Sequence, residues 1–284
     1  MVARSTPNET LETMTDQQAW RAQVAAEARR RRLVQDPERL RDLVHVDSWR
    51  RERFLAATQA PRILALRLRR KTPWAKATLA ESPQPGRHAP VRASRTGPRW
   101  HAWLDDARNA ARMVFVGTDP ARDDGALEDL RAAEFSRLHR VRDGAILDED
   151  MLLEGFLYGA DSVLLEAALL DDAALLYLRG FAREYGSACL VRARDAGELA
   201  RALQTEPEAV VLEARDAFTG ALDGELHEGL LPTIPRGVLA FAAGGMDDSA
   251  RRRRAFQLGA RGVVLGDDID APVDWREALG DATP

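Results

Sequence analysis

Leu190-Val191-Arg192-Ala193-Arg194-Asp195-Ala196-Gly197-Glu198-Leu199-Ala200-Arg201-Ala202-Leu203 reads as a strand that runs directly into a helix. The apolar run Ala188–Val191 is short enough for a strand, and Ala196–Gln204 carries an amphipathic helical pattern. A strand followed at once by a helix is the unit from which parallel sheets are built. Arg192, the third residue quoted, stands near the end of the strand, where such folds carry their working groups.

The alternation extends in both directions. Further strand-like runs are Ile63–Leu68, Met113–Val116, Arg137–Val141, Ser162–Leu165, Ala209–Leu212, Val238–Phe241 and Gly262–Leu265. Helical patterns separate them, at Leu127–Glu134, Asp150–Tyr158, Asp172–Tyr185 and Asp248–Leu258 among others. Eight strands in βα units predict an α/β protein, a closed (β/α)8 TIM barrel.

The division expected is an N-terminal helical extension over 1–60, packed on a barrel over 61–284. In the extension, Thr15–Val34 reads as one helix and the Asp36-Pro37-Glu38 start as a second, running to about Ala57. Arg29–Arg32 reads as a solvated helix face. Residues 77–98, rich in Pro, Gly and Arg, read as a long loop at the barrel mouth, a lid or a plain insertion.

Composition sets limits on function. An apolar fraction of 45% supports a sizeable core. No run approaches the roughly 18 apolar residues of a membrane span, and Met1–Met14 has no hydrophobic signal core. The single cysteine, Cys189, cannot form an internal disulfide and reads as a core residue. The expectation is a soluble, cytoplasmic protein with no membrane contact. No His/Cys cluster has zinc spacing, and Asp123, Asp124, Asp171 and Asp172 read as caps and loop charge, so no metal and no cofactor are expected.

Charge is uneven. Residues 1–100 hold 21 basic and 10 acidic side chains, and the remainder 20 and 35. The basic segment could seek an acidic partner or dock on its own acidic barrel. No recognised nucleic-acid motif accompanies it, so nucleic acid is not the expected partner. Only Lys71 and Lys76 are lysines. Arginine grips anions but does not exchange protons near neutrality and cannot form a Schiff base.

Several phrases together resemble the indole-3-glycerol phosphate synthase family. They are Gly117-Thr118-Asp119, Gly125–Leu130, Gly159–Leu170 (GADSVLLEAALL), the strand–helix segment quoted first, Gly244-Gly245-Met246 and Leu258–Gly266. The resemblance implies a (β/α)8 barrel behind extra helices. It also implies an ancestral carbon–carbon lyase reaction of tryptophan biosynthesis, the decarboxylating ring closure of a carboxyphenylamino-deoxyribulose phosphate.

At the positions where the family pattern carries working residues, this chain departs from it. The Glu-x-Lys of the first strand is Arg67-Leu68-Arg69. The general-acid Lys of the third strand is Asp143, and the Glu of the fifth is Arg192. The Asn of the sixth strand is Glu213, with Arg215 kept two residues on. The Glu-Ser-Gly of the seventh is Ala243-Gly244-Gly245. Cyclisation and dehydration need a proton donor and a carboxylate base, and losing one such group costs about 10²–10⁴ in rate. No intact catalytic set remains in the family sense, although Asp143 or Glu213 would serve as a replacement acid if its pKa were raised.

Residues i and i+2 of a strand share a face. Arg67 with Arg69, Arg192 with Arg194 and Glu213 with Arg215 therefore gather guanidinium and carboxylate groups at the mouth. Two readings follow, a self-neutralising ion network or a site for an anionic metabolite. Gly244, Gly245 and Gly266 match the family's backbone phosphate site, but Asp267-Asp268 would repel phosphate. The function expected is a binding, interaction or regulatory pseudoenzyme. Its expected partners are a phosphorylated or anionic small molecule, or a protein of aromatic amino acid metabolism. The alternatives are an active synthase with a rearranged site and a binder of a different anionic metabolite.

Overall fold

The computed structural model describes residues 16–32, 36–70, 104–105, 107–216, 218–266 and 274–282. The 77–98 segment, Lys71, Lys76, Asp267 and Asp268 lie outside these residues. Eight parallel strands close into a barrel in sequence order. They are β1 Ile63–Leu68, β2 Met113–Gly117, β3 His139–Asp143, β4 Ser162–Glu166, β5 Ala188–Ala193, β6 Ala209–Glu213, β7 Leu239–Ala243 and β8 Gly262–Leu265. Closure is made where β8 pairs β1, with Leu64 opposite Val263. Several strand bounds are corrected by two residues: β3, β5 and β7 end at Asp143, Ala193 and Ala243, beyond their apolar runs, and β3 also starts later. Arg137 adopts a left-handed backbone (φ 59°) at the end of the 3-10 turn Glu134–Ser136, so β3 begins at His139.

The strands are apolar on both faces because both are covered. Ala65, Phe115, Val141, Leu164, Leu190, Val211 and Phe241 fill the interior. Leu64, Leu66, Val114, Val163, Val191 and Leu212 face the surrounding helices. After the N-terminal helices α1 Asp16–Arg32, α2 Pro37–Leu43 and α3 Trp49–Thr58 come α4 Pro120–Asp123, α5 Glu128–Ala132, α6 Glu149–Leu157, α7 Asp172–Glu184, α8 Ala196–Gln204, α9 Leu226–Leu230, α10 Ser249–Gln257 and α11 Trp275–Ala282. Asp119, Asp148, Asp171, Asp195 and Asp248 cap α4, α6, α7, α8 and α10, each accepting from backbone N–H groups of the first turn. These caps fix the direction in which each strand end turns outward. Among the described residues no helix is long and apolar enough to cross a membrane.

The expected second N-terminal helix is two helices. Val44 is extended (φ −99°, ψ 107°) and buried, and the chain bends before α3 starts. The bend brings the Asp47 carbonyl onto Gly186, where an added Cβ would lie only 2.2 Å away. Gly186 also has φ +72°, a conformation costly for other residues. Helix α3 places Phe54 and Ala57 in the interior cluster and so plugs the N-terminal end of the barrel. Basic groups of the extension meet acceptors on the barrel. Arg31 pairs Glu154 at 3.0 Å, Arg53 pairs Asp161 at 3.3 Å, and Arg41 pairs Glu149. Arg31, read as part of a solvated face, is thus partly spent on the barrel.

His139 lies in the wall near this plug. Its Nε2 is 2.7 Å from the Ser162 hydroxyl, its ring is edge-on to Phe54, and burial lowers its pKa to about 4. The unfolded ring protonates at about 6.5, so this contribution to stability is complete above that pH and is lost as pH falls toward the folded value. The loss should be on the order of 3 kcal/mol in urea unfolding free energy between about pH 7 and about pH 4. His139→Gln should lack most of this difference.

Candidate functional site

Alternation along each strand turns Arg67, Asp143, Glu166, Arg192, Glu213 and Ala243 to the same inward face as the interior apolar residues. All lie at C-terminal strand ends. Arg67, Asp143, Arg192 and Ala243 have no exposure, and Glu166 and Glu213 are 1% and 5% exposed. The mouth is therefore filled by side chains.

Ion pairs join these groups into one network. Arg192 donates from Nη2 to both Asp143 oxygens, at 2.8 and 2.9 Å, and from Nη1 to Glu166. Arg67 contacts Asp143 through Nε at 3.0 Å and Glu213 through Nη1 at 2.7 Å. Arg194 reaches the other Glu166 oxygen at 2.8 Å. Arg122 bridges Glu166 at 3.1 Å and Asp143 at 3.3 Å. Arg69 pairs Asp123 at 3.1 Å and stands 3.9 Å from Asp143. Arg215 is directed elsewhere: its side chain donates to the Gly220 carbonyl and its backbone pairs with Leu222.

The electrostatics follow from this crowding. Burial works to raise the Asp143 pKa, but Arg192, Arg67, Arg69 and Arg122 outweigh it and hold the group well below the usual carboxylate range. At Glu166 burial is likewise overcome, here by Arg192, Arg194 and Arg122. Burial alone would lower Arg192, yet Asp143 and Glu166 raise it. The groups are locked in their charged forms, and Asp143 is not the raised-pKa acid considered from sequence. Asp123 behaves differently: burial raises its pKa despite Arg69 and Arg122.

Glu166, Arg122 and Asp123 were missed as mouth residues. Glu166 had a legible signal, since it stands two residues after the interior Leu164 at the end of β4. Asp123 was read as loop charge, but it is 1% exposed and paired with Arg69. Its burial follows from α4 folding back under α1. There the Trp20 indole N–H donates to Asp119 at 2.7 Å and its ring stacks over the Arg122 guanidinium at 4.9 Å. Cys189 is fully buried, and burial pushes its thiol up.

The glycines of the expected phosphate site keep their turn geometry. Gly244, Gly245 and Gly266 have φ of 82°, 73° and 104°. The Gly266 N–H already donates to the Asp247 carboxylate at 3.0 Å, so an incoming phosphate would have to displace an anion.

These features define a (β/α)8 barrel whose mouth is closed by buried, ionised side chains. The indole-3-glycerol phosphate synthase profile matches residues 103–281, and the chain belongs to that family. Among curated relatives, an indole-3-glycerol phosphate synthase of Dehalococcoides mccartyi is 31% identical over 172 residues, 59% of this chain and 66% of the relative. One from Kineococcus radiotolerans is 32% identical over 60% of this chain and 63% of its own length. The chain thus matches just under two thirds of these relatives' length. Solved structures share the fold at low identity. 3-Hexulose-6-phosphate synthase from Salmonella typhimurium aligns with a TM-score of 0.55 and 15% identity over 78% of this chain and 98% of its own. Orotidine 5'-phosphate decarboxylase from Pyrococcus horikoshii OT3 aligns at 0.51 and 14%, again over 78% and 98%.

Arg192→Met should cost about 3–5 kcal/mol in urea denaturation, because it strands Asp143 and Glu166 as buried carboxylates with fewer counter-charges. Arg254→Met, which breaks the exposed Arg254–Glu228 pair, should leave the urea midpoint nearly unchanged, because solvent screens that pair.

Proposed function

We propose that this barrel has lost the family's ring-closing lyase reaction and acts as a binding or regulatory pseudoenzyme. The observation that carries this reading is the Arg192–Asp143–Glu166 cluster, in which each group is held in its charged form by the others. Decarboxylation with cyclisation and dehydration requires a group that gives a proton and one that takes it. Arg67, Arg69 and Arg192 stand where the resemblance places two carboxylates and an ammonium, and guanidinium does not exchange protons near neutrality. Ala243 has no polar group. Groups that work as a unit fail together, so no single remaining residue restores the relay.

The arginines do not favour the alternative of a free anion site. Arg67, Arg69, Arg122, Arg192 and Arg194 each already face a carboxylate, and an anionic metabolite would compete with these acids. Kinship suggests a protein partner from aromatic amino acid metabolism. The names of the relatives favour the competing reading of an active synthase with a rearranged site.

Incubation of the purified protein with the carboxyphenylamino-deoxyribulose phosphate separates the two readings. The expected outcome is indole product at the no-protein background, a deficit of at least about 10⁴-fold against a working synthase. Turnover at a synthase-like rate that disappears in Asp143→Asn would establish the active reading instead.

A further inference from the structure

Strand β3 carries Arg142 as well as Asp143, and alternation sends the two to opposite sides of the wall. Arg142 points outward, into the space between the barrel, α6 and α1, and is 2% exposed. Its Nε donates to the Thr118 hydroxyl at 3.3 Å and its Nη1 to the Met151 carbonyl. Gly155 on α6 makes room for it, since a Cβ there would lie 2.8 Å from the Arg142 Cδ. Among the described residues no carboxylate forms an ion pair with this guanidinium; Glu154, Asp148 and Asp119 act on it only through longer-range attraction, Glu154 most strongly. Buried charges are normally paired, because desolvating an ion without a counter-ion is costly.

Arg142 forms part of the wall of a cavity of about 370 Å³, within the range of about 300–1,000 Å³ found for small-molecule sites. Val24 and Ala28 of α1 supply apolar surface, with Pro120, Ala145 and Met151 on the barrel side. The other charges around it are already committed. Asp119 accepts from Trp20 and from two backbone N–H groups of α4. Glu27 pairs with Arg30 and Arg31, and Arg31 also pairs Glu154 at 3.0 Å. Among the described residues of this wall, Arg142 is the cation without a carboxylate partner.

We infer that this cavity is a binding site for a small carboxylate with an apolar body, such as an aryl or alkyl monocarboxylate. The carboxylate pairs with Arg142 and the apolar part packs between α1 and the barrel. Burial pushes the Arg142 pKa down to about 10, which leaves it charged at neutrality and in want of an anion. The site lies across β3 from the mouth and does not depend on whether the mouth is catalytically silent. Because its occupant touches both α1 and the barrel, binding also fastens the N-terminal helix.

The test is thermal denaturation of the full chain with benzoate, and with benzamide as the neutral isostere. Benzoate should give a saturable rise of about a few degrees in melting temperature, and benzamide should need at least about tenfold higher concentration for the same rise. Inorganic phosphate, too polar for the apolar wall, should give no saturable rise. Arg142→Met should fold with unchanged or higher stability, since an apolar replacement relieves a buried charge, and should lose the benzoate response. If that variant does not fold, Ala145→Leu, which fills the cavity, carries the test and should lose the response as well. No benzoate effect on the unmodified protein, an equal effect of benzamide, or a response retained in the folded variants would overturn the inference.

Discussion

Arg192 reaches Asp143 on β3 and Glu166 on β4 from a position on β5 where it has no contact with water. Everything at the barrel mouth is arranged around this guanidinium. An arginine there would be intolerable alone, and the two carboxylates would be intolerable without it. Arg67 and Arg122 then share the carboxylate oxygens that Arg192 leaves partly satisfied, and Arg67 brings in Glu213. Packing alone would have been served as well by leucine and phenylalanine. Buried ions instead demand defined geometry, and they hold the strand ends in fixed relation.

The departures from the family pattern make sense as pairs. The resemblance places a Lys at position 143 and a Glu at 192, and here the charges are Asp and Arg. It places a Glu at 67 and an Asn at 213, and here they are Arg and Glu, 2.7 Å apart. Each change alone would strand a buried charge, so the substitutions are coherent as a new set of contacts. The set suits cohesion better than chemistry. Relay catalysis needs groups that change protonation as the reaction proceeds, whereas strong mutual pairing fixes it.

The eight strands were legible because a strand covered on both faces must be apolar throughout. The start of β3 was misplaced because Arg137 supports a left-handed turn that no apolar pattern announces. The inward set Arg67, Asp143, Arg192 and Glu213 could be enumerated from alternation and the resemblance. Their partners could not, because alternation gives the face of a residue but not which strand end it meets across the barrel. Glu166 was hidden inside a family phrase, and Asp123 inside what looked like loop charge. The break between α2 and α3 depends on contact with Gly186, more than a hundred residues away in sequence. The Arg142 cavity likewise exists only once α1 is laid on β3 and α6.

The central claim is that Asp143 and Glu166 stay ionised through the pH range in which the family's chemistry would need a mouth carboxylate to carry a proton. Carbon-13 NMR of protein labelled at its Asp and Glu carboxyls, assigned with Asp143→Asn and Glu166→Gln, measures this directly. The Asp143 and Glu166 resonances should hold the carboxylate shift unchanged from about pH 8 down to below about pH 4, the ordinary carboxyl pKa. A titration of either resonance between about pH 5 and about pH 8 would identify a working acid at the mouth and contradict the account.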